Sequence, residues 1–88
     1  MSTYTKDPDA TLDFRVDWSV WLGEDTISMS AWIVPAGITQ DSATNDTTTA
    51  TVWLSGGSVG RSYHVVNRIT TAAGRVNDQT LVIKVREQ

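Results

Sequence analysis

The chain has 88 residues, a formal net charge of -3 at pH 7 and no cysteine. This length allows one small domain with a single hydrophobic core, and the lack of cysteine excludes a disulfide framework and a thiolate metal site. The seven basic residues are scattered through the sequence, so no nucleic-acid partner is expected, because counterion release needs several aligned Lys and Arg side chains.

The N-terminal region is polar and contains a turn signal. It lacks the apolar stretch of a secretory signal, which predicts synthesis in a cytoplasm, and no apolar run in the chain approaches the roughly 20 residues that span a bilayer, so no membrane partner is expected. Asp7-Pro8-Asp9 is typical of a turn. We therefore predict a single domain over residues 1–88 with an N-terminal arm over residues 1–10.

The first regular element is predicted at residues 12–18, where apolar and charged residues alternate. A period of two is typical of a half-buried strand. The residues expected to face the core are Leu12, Phe14, Val16 and Trp18. Trp21 lies three residues after Trp18, and Gly23 lies two residues after Trp21. This spacing predicts a short helical turn that ends at the glycine.

Residues 26–34 are rich in β-branched and apolar side chains and are followed by Pro35-Ala36-Gly37, which predicts a strand and a turn. The apolar positions change face along this strand, so we expect a β-bulge between Ile27 and Trp32. Residues 39–51 are almost wholly polar. They are expected to form either a solvated strand pair or a mobile loop.

Three further strands are predicted at residues 51–55, 63–70 and 81–86. Their inward-facing residues are expected to include Tyr63, Val65, Ile69, Leu81, Ile83 and Val85, while Lys84 and Arg86 face solvent. The glycine-rich residues 56–60 are expected to form a hairpin connection. Strands separated by turn signals about every 8 to 12 residues predict an all-β fold, an immunoglobulin-like antiparallel β-sandwich of about seven strands with minimal helix.

The polar residues do not suggest catalysis. His64 is the one histidine and is expected on the outward face of a strand, so a Ser-His or Cys-His arrangement has no support. Carboxylates are frequent in the first third of the chain, but no Asp-x-Asp-x-Asp-Gly calcium loop is present. We predict no enzymatic activity, no cofactor and no metal site.

Four tryptophans are the strongest candidates for binding. Trp18 and Trp32 are expected in the core because they lie in predicted strands beside other apolar residues. Trp21 lies in the helical turn, and Trp53 lies opposite the face formed by its two apolar neighbours. One of these two is expected to be presented to a partner or to a sugar ring.

Two resemblances extend this interpretation. The segment from Gly60 to Val65 and the closing Leu-x-Ile-x-Val resemble the last two strands of immunoglobulin-like and fibronectin-like modules, which implies that Tyr63 occupies the tyrosine-corner position.

A second resemblance covers most of the chain. It includes Lys6-Asp7-Pro8-Asp9-Ala10, Trp32-Ile33-Val34-Pro35-Ala36-Gly37 and Val52-Trp53-Leu54-Ser55-Gly56-Gly57, and it is to small virion proteins of tailed bacteriophages described as fibre-tail adaptor or neck-associated structural proteins.

The second resemblance implies a phage virion structural protein that acts as a protein-protein adaptor at the neck or tail. It implies synthesis in the bacterial host cytoplasm and assembly in several copies, as a homo-oligomer, with other neck, tail or fibre proteins as partners. The residues expected to bind these partners are Asp7, Pro8, Asp9, Trp21 and Trp53. Two alternatives are a carbohydrate-binding module that uses an exposed Trp and a capsid decoration protein.

Overall fold

The computed structural model describes residues 2–87, which form seven strands and one helical turn. The elements are β1 (Ser2–Lys6), β2 (Leu12–Asp17), α1 (Ser19–Leu22), β3 (Ile27–Ile33), β4 (Ile38–Asn45), β5 (Thr49–Gly56), β6 (Ser62–Thr71) and β7 (Val76–Val85). The prediction of an all-β fold with seven strands and minimal helix is confirmed. Met1 and Gln88, the first and last residues of the predicted domain, lie outside the described residues.

The strands form two sheets whose inner faces enclose the core. The first sheet has the order β1-β7-β6-β3, and the second has the order β2-β5-β4. β1 pairs with β7 in parallel, whereas the other pairings are antiparallel. The antiparallel sandwich predicted from sequence thus gains one parallel strand at its edge, β1, in the segment that was predicted as an arm.

Residues 2–6 form β1 instead of the predicted arm. The ring of Tyr4 packs edge-on against Phe14 in the second sheet, with 5.3 Å between the ring centroids, and the side chain of Lys6 is fully buried. Only one residue in this segment is strongly apolar, so the sequence contains too little periodicity to indicate a strand. Both inward contacts fix β1 to the sandwich.

The core consists of the inward-facing residues of both sheets, and these agree closely with the prediction. The buried apolar residues that were predicted are Phe14, Val16, Trp18, Tyr63, Val65, Ile69, Leu81, Ile83 and Val85. Each large aliphatic or aromatic side chain of this kind stabilises the fold by about 1.5 to 3 kcal/mol through its burial. Leu12 is an exception with 39% exposure, because it is the first residue of the edge strand β2.

A polar side chain links the two sheets within this core. Asn67 of β6 is fully buried, and its side-chain oxygen accepts a hydrogen bond of 2.9 Å from the indole Nε1 of Trp18. Its amide nitrogen donates to Ser30 Oγ at 2.9 Å and to the carbonyl oxygen of Ala31 at 3.1 Å. Since a buried polar group without partners is costly, these three bonds fix the relative positions of β2, β3 and β6.

The predicted bulge in β3 is present at Ser28. Ile27 pairs with Thr71 and Met29 pairs with Thr70, so Ser28 is the extra residue. Ile27 is buried, while Met29, two residues later, is 67% exposed. The bulge therefore moves the inward-facing set from the odd to the even positions of this strand.

The polar residues 39–51 contain most of β4 and the start of β5, which pair as a hairpin. The strand-pair alternative is thus the correct one. Asp46 forms the turn by accepting hydrogen bonds from the backbone N–H groups of Thr48 at 2.8 Å and Thr49 at 2.7 Å. These bonds, led by that from Thr48, lower the pKa of Asp46.

The expectation of a hairpin at residues 56–60 is wrong, because β5 and β6 belong to different sheets. The segment crosses between the sheets and is held by Tyr63, whose hydroxyl accepts a hydrogen bond of 3.0 Å from the backbone N–H of Ser58. This is the tyrosine-corner arrangement. Gly57 has φ +96°, and a Cβ there would lie 2.7 Å from Val85 Cγ2.

Candidate functional site

The predicted partner-binding residues lie in three separate places. Asp7, Pro8 and Asp9 form the turn between β1 and β2 at one end of the sandwich. Trp21 lies in α1, at the opposite end of β2. Trp53 lies in β5 on the outer face of the second sheet. The structure does not bring these residues together into one site.

The turn between β1 and β2 is tightly hydrogen-bonded. The backbone N–H of Asp9 donates to Asp7 Oδ1 at 2.8 Å, and the N–H of Ala10 donates to the carbonyl oxygen of Asp7 at 3.1 Å. Pro8 fixes one backbone dihedral between them. This end of the molecule therefore presents a rigid, acidic turn.

Lys6 supports this turn from inside the sandwich, a role that sequence reasoning missed. Its Nζ donates to the carbonyl oxygens of Asp7 at 2.9 Å and Gly56 at 2.8 Å, and the second bond reaches from the first sheet to the second. Burial lowers the pKa of Lys6, and the nearby carboxylates of Asp7, Asp41 and Asp9 oppose that shift. A fully buried lysine is rare, and an alternating hydrophobic pattern cannot reveal it.

Trp21 is presented by the predicted helical turn. The turn closes where the N–H of Gly23 donates to the carbonyl oxygen of Ser19 at 3.2 Å, and Gly23 has φ +63°. The Trp21 ring packs edge-on against Trp18, with centroids 5.6 Å apart, and remains 38% exposed. Because Trp18 is anchored in the core, Trp21 is held as a rigid, half-exposed surface.

The guanidinium of Arg75 lies over the other side of this surface, 4.2 Å from the Trp21 ring centroid. Arg75 is itself held by two partners. Its Nε donates to Asp25 Oδ2 at 3.1 Å, and its Nη2 donates to the carbonyl oxygen of Leu22 at 3.0 Å. Half-exposed tryptophan and arginine side chains in fixed positions are typical of residues that dominate protein-protein binding energies.

Asp25 is the residue that organises this arrangement. Its side chain accepts hydrogen bonds from the backbone N–H groups of Thr26 at 2.8 Å and Ala73 at 3.2 Å, in addition to the ion pair with Arg75. The pKa of Asp25 is lowered from 3.8 to about 2, first by the hydroxyl of Thr71 and then by these other groups, against the opposing effect of burial. The carboxylate is therefore charged at neutral pH and remains so well into the acidic range.

A groove of about 600 Å³ lies beside Trp21. Its walls come from β1, β2, α1 and β7, at the place where the two sheets separate. The lining residues are half apolar and half polar and include Tyr4, Val16, Trp21, Asn77, Gln79 and Leu81. Arg15 and Asp17, at its rim, have opposite charges. The groove is thus suited to an uncharged chain segment with some apolar side chains.

Trp53 forms a separate surface that is 40% exposed. Its neighbours across the strands are Asp13 of β2 and Ser42 of β4. Close to it, Ser55 donates a hydrogen bond of 3.0 Å to Asp41. The surface around this indole is therefore acidic and rich in hydroxyl groups. Both Trp21 and Trp53 are partly exposed, whereas the sequence led us to expect this of one of them.

The remaining polar groups do not form a reaction centre in residues 2–87. His64 is exposed on the outer face of β6, as predicted. Within the described part of the chain, no three His, Asp or Glu side chains converge to hold a metal ion. No helix found in those residues has the length and apolar character to cross a membrane.

Comparisons with known proteins complete this description. A family model described as "Podophage GP4 fiber-tail adaptor protein gp77" matches residues 6–84. Among solved structures, the chain is similar to the solution structure of the PKD domain from KIAA 1837 protein, with a TM-score of 0.60 and 20% sequence identity over 99% of this chain and 80% of that chain. At that identity the likeness concerns the fold alone, which is immunoglobulin-like. No curated protein matches the sequence.

Proposed function

The chain belongs to the podophage fibre-tail adaptor family and is a phage virion adaptor protein, and we propose that it joins tail and fibre proteins by contacting them through two separate ends of its sandwich. An adaptor needs at least two surfaces that partners can occupy simultaneously. The Trp21 end and the Asp7 to Asp9 turn meet this requirement because they lie at opposite ends of β2.

The rigid Trp21 surface is the observation that carries the proposal. Trp21 is packed against Trp18 and lies under Arg75, and Arg75 is in turn held by Asp25. Because these side chains are already ordered, a partner that covers them loses little conformational entropy on binding. A Trp-Arg pair of this kind contributes strongly to an interface when water is excluded from it.

The Asp7 to Asp9 turn is proposed as the second surface. Its backbone is fixed by the Asp7 and Lys6 hydrogen bonds, and its carboxylates attract a basic patch on a partner. Such rim charges mainly raise the association rate. Contacts at this end are therefore expected to weaken with rising salt concentration.

The experiment is a binding assay with the purified full chain and the purified tail and fibre proteins of the same phage. The expected result is a ternary complex in analytical ultracentrifugation. Trp21→Ser is expected to remove one partner and the double variant Asp7→Ser, Asp9→Ser to weaken the other, with Val59→Ser, at an exposed loop residue, as the control. If the wild-type protein binds neither partner, the proposed function is wrong.

We further propose that this single domain is a non-enzymatic part of the particle, assembled as a homo-oligomer after synthesis in the bacterial host cytoplasm. The family's structural role supports the absence of activity. The net charge of -3 with scattered basic residues supports a role without nucleic-acid contact. No apolar run in the sequence approaches the roughly 20 residues that span a bilayer, which supports a role without membrane contact.

A second candidate function is carbohydrate binding through Trp53. A half-exposed indole surrounded by hydroxyl groups and carboxylates has the features that sugar-stacking surfaces require, and this is the observation that favours it. Binding of the wild-type protein on a glycan array, lost in Trp53→Ser and kept in Trp21→Ser, is the result expected for this function. If the wild-type protein binds no glycan on the array, carbohydrate binding is wrong as a function of this protein.

A further inference from the structure

β7 has a free edge beside the Trp21 groove. On that edge β1 covers only the later half of β7, where Ser2 pairs with Leu81 and Lys6 pairs with Val85. Over the earlier half, Val76 to Thr80, the pairings of the described residues are with β6 on the other side. Among residues 2–87, this half of the edge therefore has no strand partner, and it lies directly in line with β1, which the same edge already pairs with.

The direction of the backbone groups along β7 follows from two hydrogen bonds near its end. The N–H of Arg86 donates to the carbonyl oxygen of Lys6 in β1, while the N–H of Val85 donates to the carbonyl oxygen of Arg61, which precedes β6. Since successive residues of a strand point their N–H groups to opposite sides, the even-numbered residues of β7 face the β1 side. The N–H and C=O groups of Val76 and the N–H of Thr80 therefore point toward the open edge, while the C=O of Thr80 belongs to the ladder with β1 beside the Ser2–Leu81 pair.

Between them, the N–H of Asp78 is occupied by the side-chain oxygen of Asn77 at 2.9 Å. This contact protects the middle of the edge while the position is unoccupied, as natural edge strands commonly require. The Asn77 side chain lines the groove and can rotate away without breaking a contact to β6. The edge is thus shielded but not permanently closed.

We propose that this open edge and the Trp21 groove receive an extended segment of a tail or fibre protein, which adds to the first sheet as a further strand in line with β1. This inference rests on the proposed function and specifies its partner. The open stretch of five residues accommodates a strand of roughly 17 Å. Main-chain hydrogen bonds to Val76 and Thr80 supply affinity, and alternate side chains of the segment enter the groove against Trp21 and Leu81.

A second copy of this chain is a poorer occupant of the same edge. If β7 paired with its own copy about a two-fold axis, the centre of the open stretch would place two Asp78 side chains directly opposite each other. Like charges at opposed positions destabilise a strand pair. The groove rim, by contrast, has one positive and one negative residue, Arg15 and Asp17, so a neutral segment of another protein meets no repulsion there.

The test uses overlapping synthetic peptides that cover the tail and fibre proteins of the same phage. Each peptide is titrated into the full chain, and the dissociation constant is measured by calorimetry for the wild type, Trp21→Ser, Thr80→Pro and Val59→Ser. Thr80→Pro removes a donor that faces the open edge and leaves the β6 bonds intact. Val59→Ser is the control, because its side chain is exposed and apolar like part of Trp21 but lies in the connection between β5 and β6.

At least one peptide is expected to bind the wild type, and both Trp21→Ser and Thr80→Pro are expected to weaken it by about tenfold or more. Val59→Ser is expected to stay within about twofold, the range of a residue outside the contact. In amide hydrogen exchange of the wild type, the bound peptide is expected to slow exchange at Val76 and Thr80. If circular dichroism shows that either variant fails to fold, the hydrogen-exchange measurement on the wild type decides whether the peptide adds to β7.

Three results overturn the inference. If the wild type binds tail and fibre proteins while both variants bind equally well and the β7 amides are unaffected, strand addition is wrong and the adaptor function stands. If no peptide binds although the whole proteins do, the partner is not an extended segment. If the β7 amides become protected by raising the concentration of the chain alone, the edge is a contact between copies.

Discussion

The indole Nε1 of Trp18 lies 2.9 Å from the side-chain oxygen of Asn67, and this hydrogen bond joins the two sheets of a cysteine-free sandwich. Antibody domains join their two sheets with a disulfide. Here a buried amide joins the residue that follows β2 to β6 and also fixes β3 through Ser30 and Ala31.

Asn67→Leu is therefore expected to destabilise the protein by about 2 kcal/mol, because it leaves the buried indole N–H of Trp18 without a partner inside the core. The free energy of unfolding is measured by urea denaturation. Asn45→Leu, at an exposed position of β4, is the control and should change stability by about 0.5 kcal/mol or less. Equal effects of the two substitutions would contradict the structural role of Asn67.

Tyr63→Phe is expected to cost about 1 to 2 kcal/mol, since it removes the hydroxyl that accepts the Ser58 N–H while the aromatic ring stays in the core. The same urea titration measures this loss. Tyr4→Phe is the matched control, because it retains the ring that packs on Phe14. If the Tyr63 hydroxyl did not contribute to stability, the urea unfolding curves of Tyr63→Phe and Tyr4→Phe would be indistinguishable.

Gly57→Ala is expected to be much more destabilising than Gly60→Ala. Both residues have positive φ, which costs a side-chain-bearing residue about 1 kcal/mol or more, but only the Cβ at Gly57 meets a neighbour, Val85 Cγ2 at 2.7 Å. A Cβ at Gly60 has nothing within 4 Å. Overpacking adds about 1 to 3 kcal/mol at Gly57. Thermal unfolding checks that Gly57→Ala has the lower melting temperature. Similar melting temperatures of the two variants would show that Val85 in β7 shifts at little cost.

The pH dependence of stability is expected to show the effect of Asp25. Its pKa is about 2 in the folded protein against 3.8 in the unfolded chain, so its contribution is fully present above about pH 4 and is lost as the pH falls through 2. Asp25→Asn lacks this contribution. The stability difference between wild type and variant, measured in urea between pH 2 and 6, should therefore shrink as the pH falls. A difference that is independent of pH would show that the low pKa is absent.

Much of the sandwich could be predicted because its strands alternate cleanly. Phe14, Val16 and Trp18 follow a period of two, and the bulge at Ser28 is indicated by two apolar sets that cannot share one face. The local signal of Gly23 was sufficient for the helical turn, and the resemblance of the segment around Tyr63 to immunoglobulin-like modules implied the tyrosine corner. In each of these cases the information lies within a few residues of the feature.

The features that were missed depend on residues distant in sequence. Lys6 contacts Gly56, and Arg75 contacts Trp21 and Asp25, so no local pattern indicates that a lysine is buried or that an arginine covers an indole. Residues 1–10 were predicted as an arm because the Asp7-Pro8-Asp9 turn separates them from the first alternating segment, and the contacts that make β1 a strand are with distant residues of β7. The Trp21 surface could be predicted as far as its exposed indole, whereas its rigidity depends on these distant contacts.

The parallel pairing of β1 with β7 has a mechanical consequence. Tension applied at Ser2 and at Val85 would pull the two strands along their length in opposite directions, so the hydrogen bonds between them would be loaded together in shear and could not open one after another. Breaking them would require all five residue pairs of the β1–β7 ladder to separate together. The strand that sequence patterning overlooked would thus bear any tension applied between these two points of the chain.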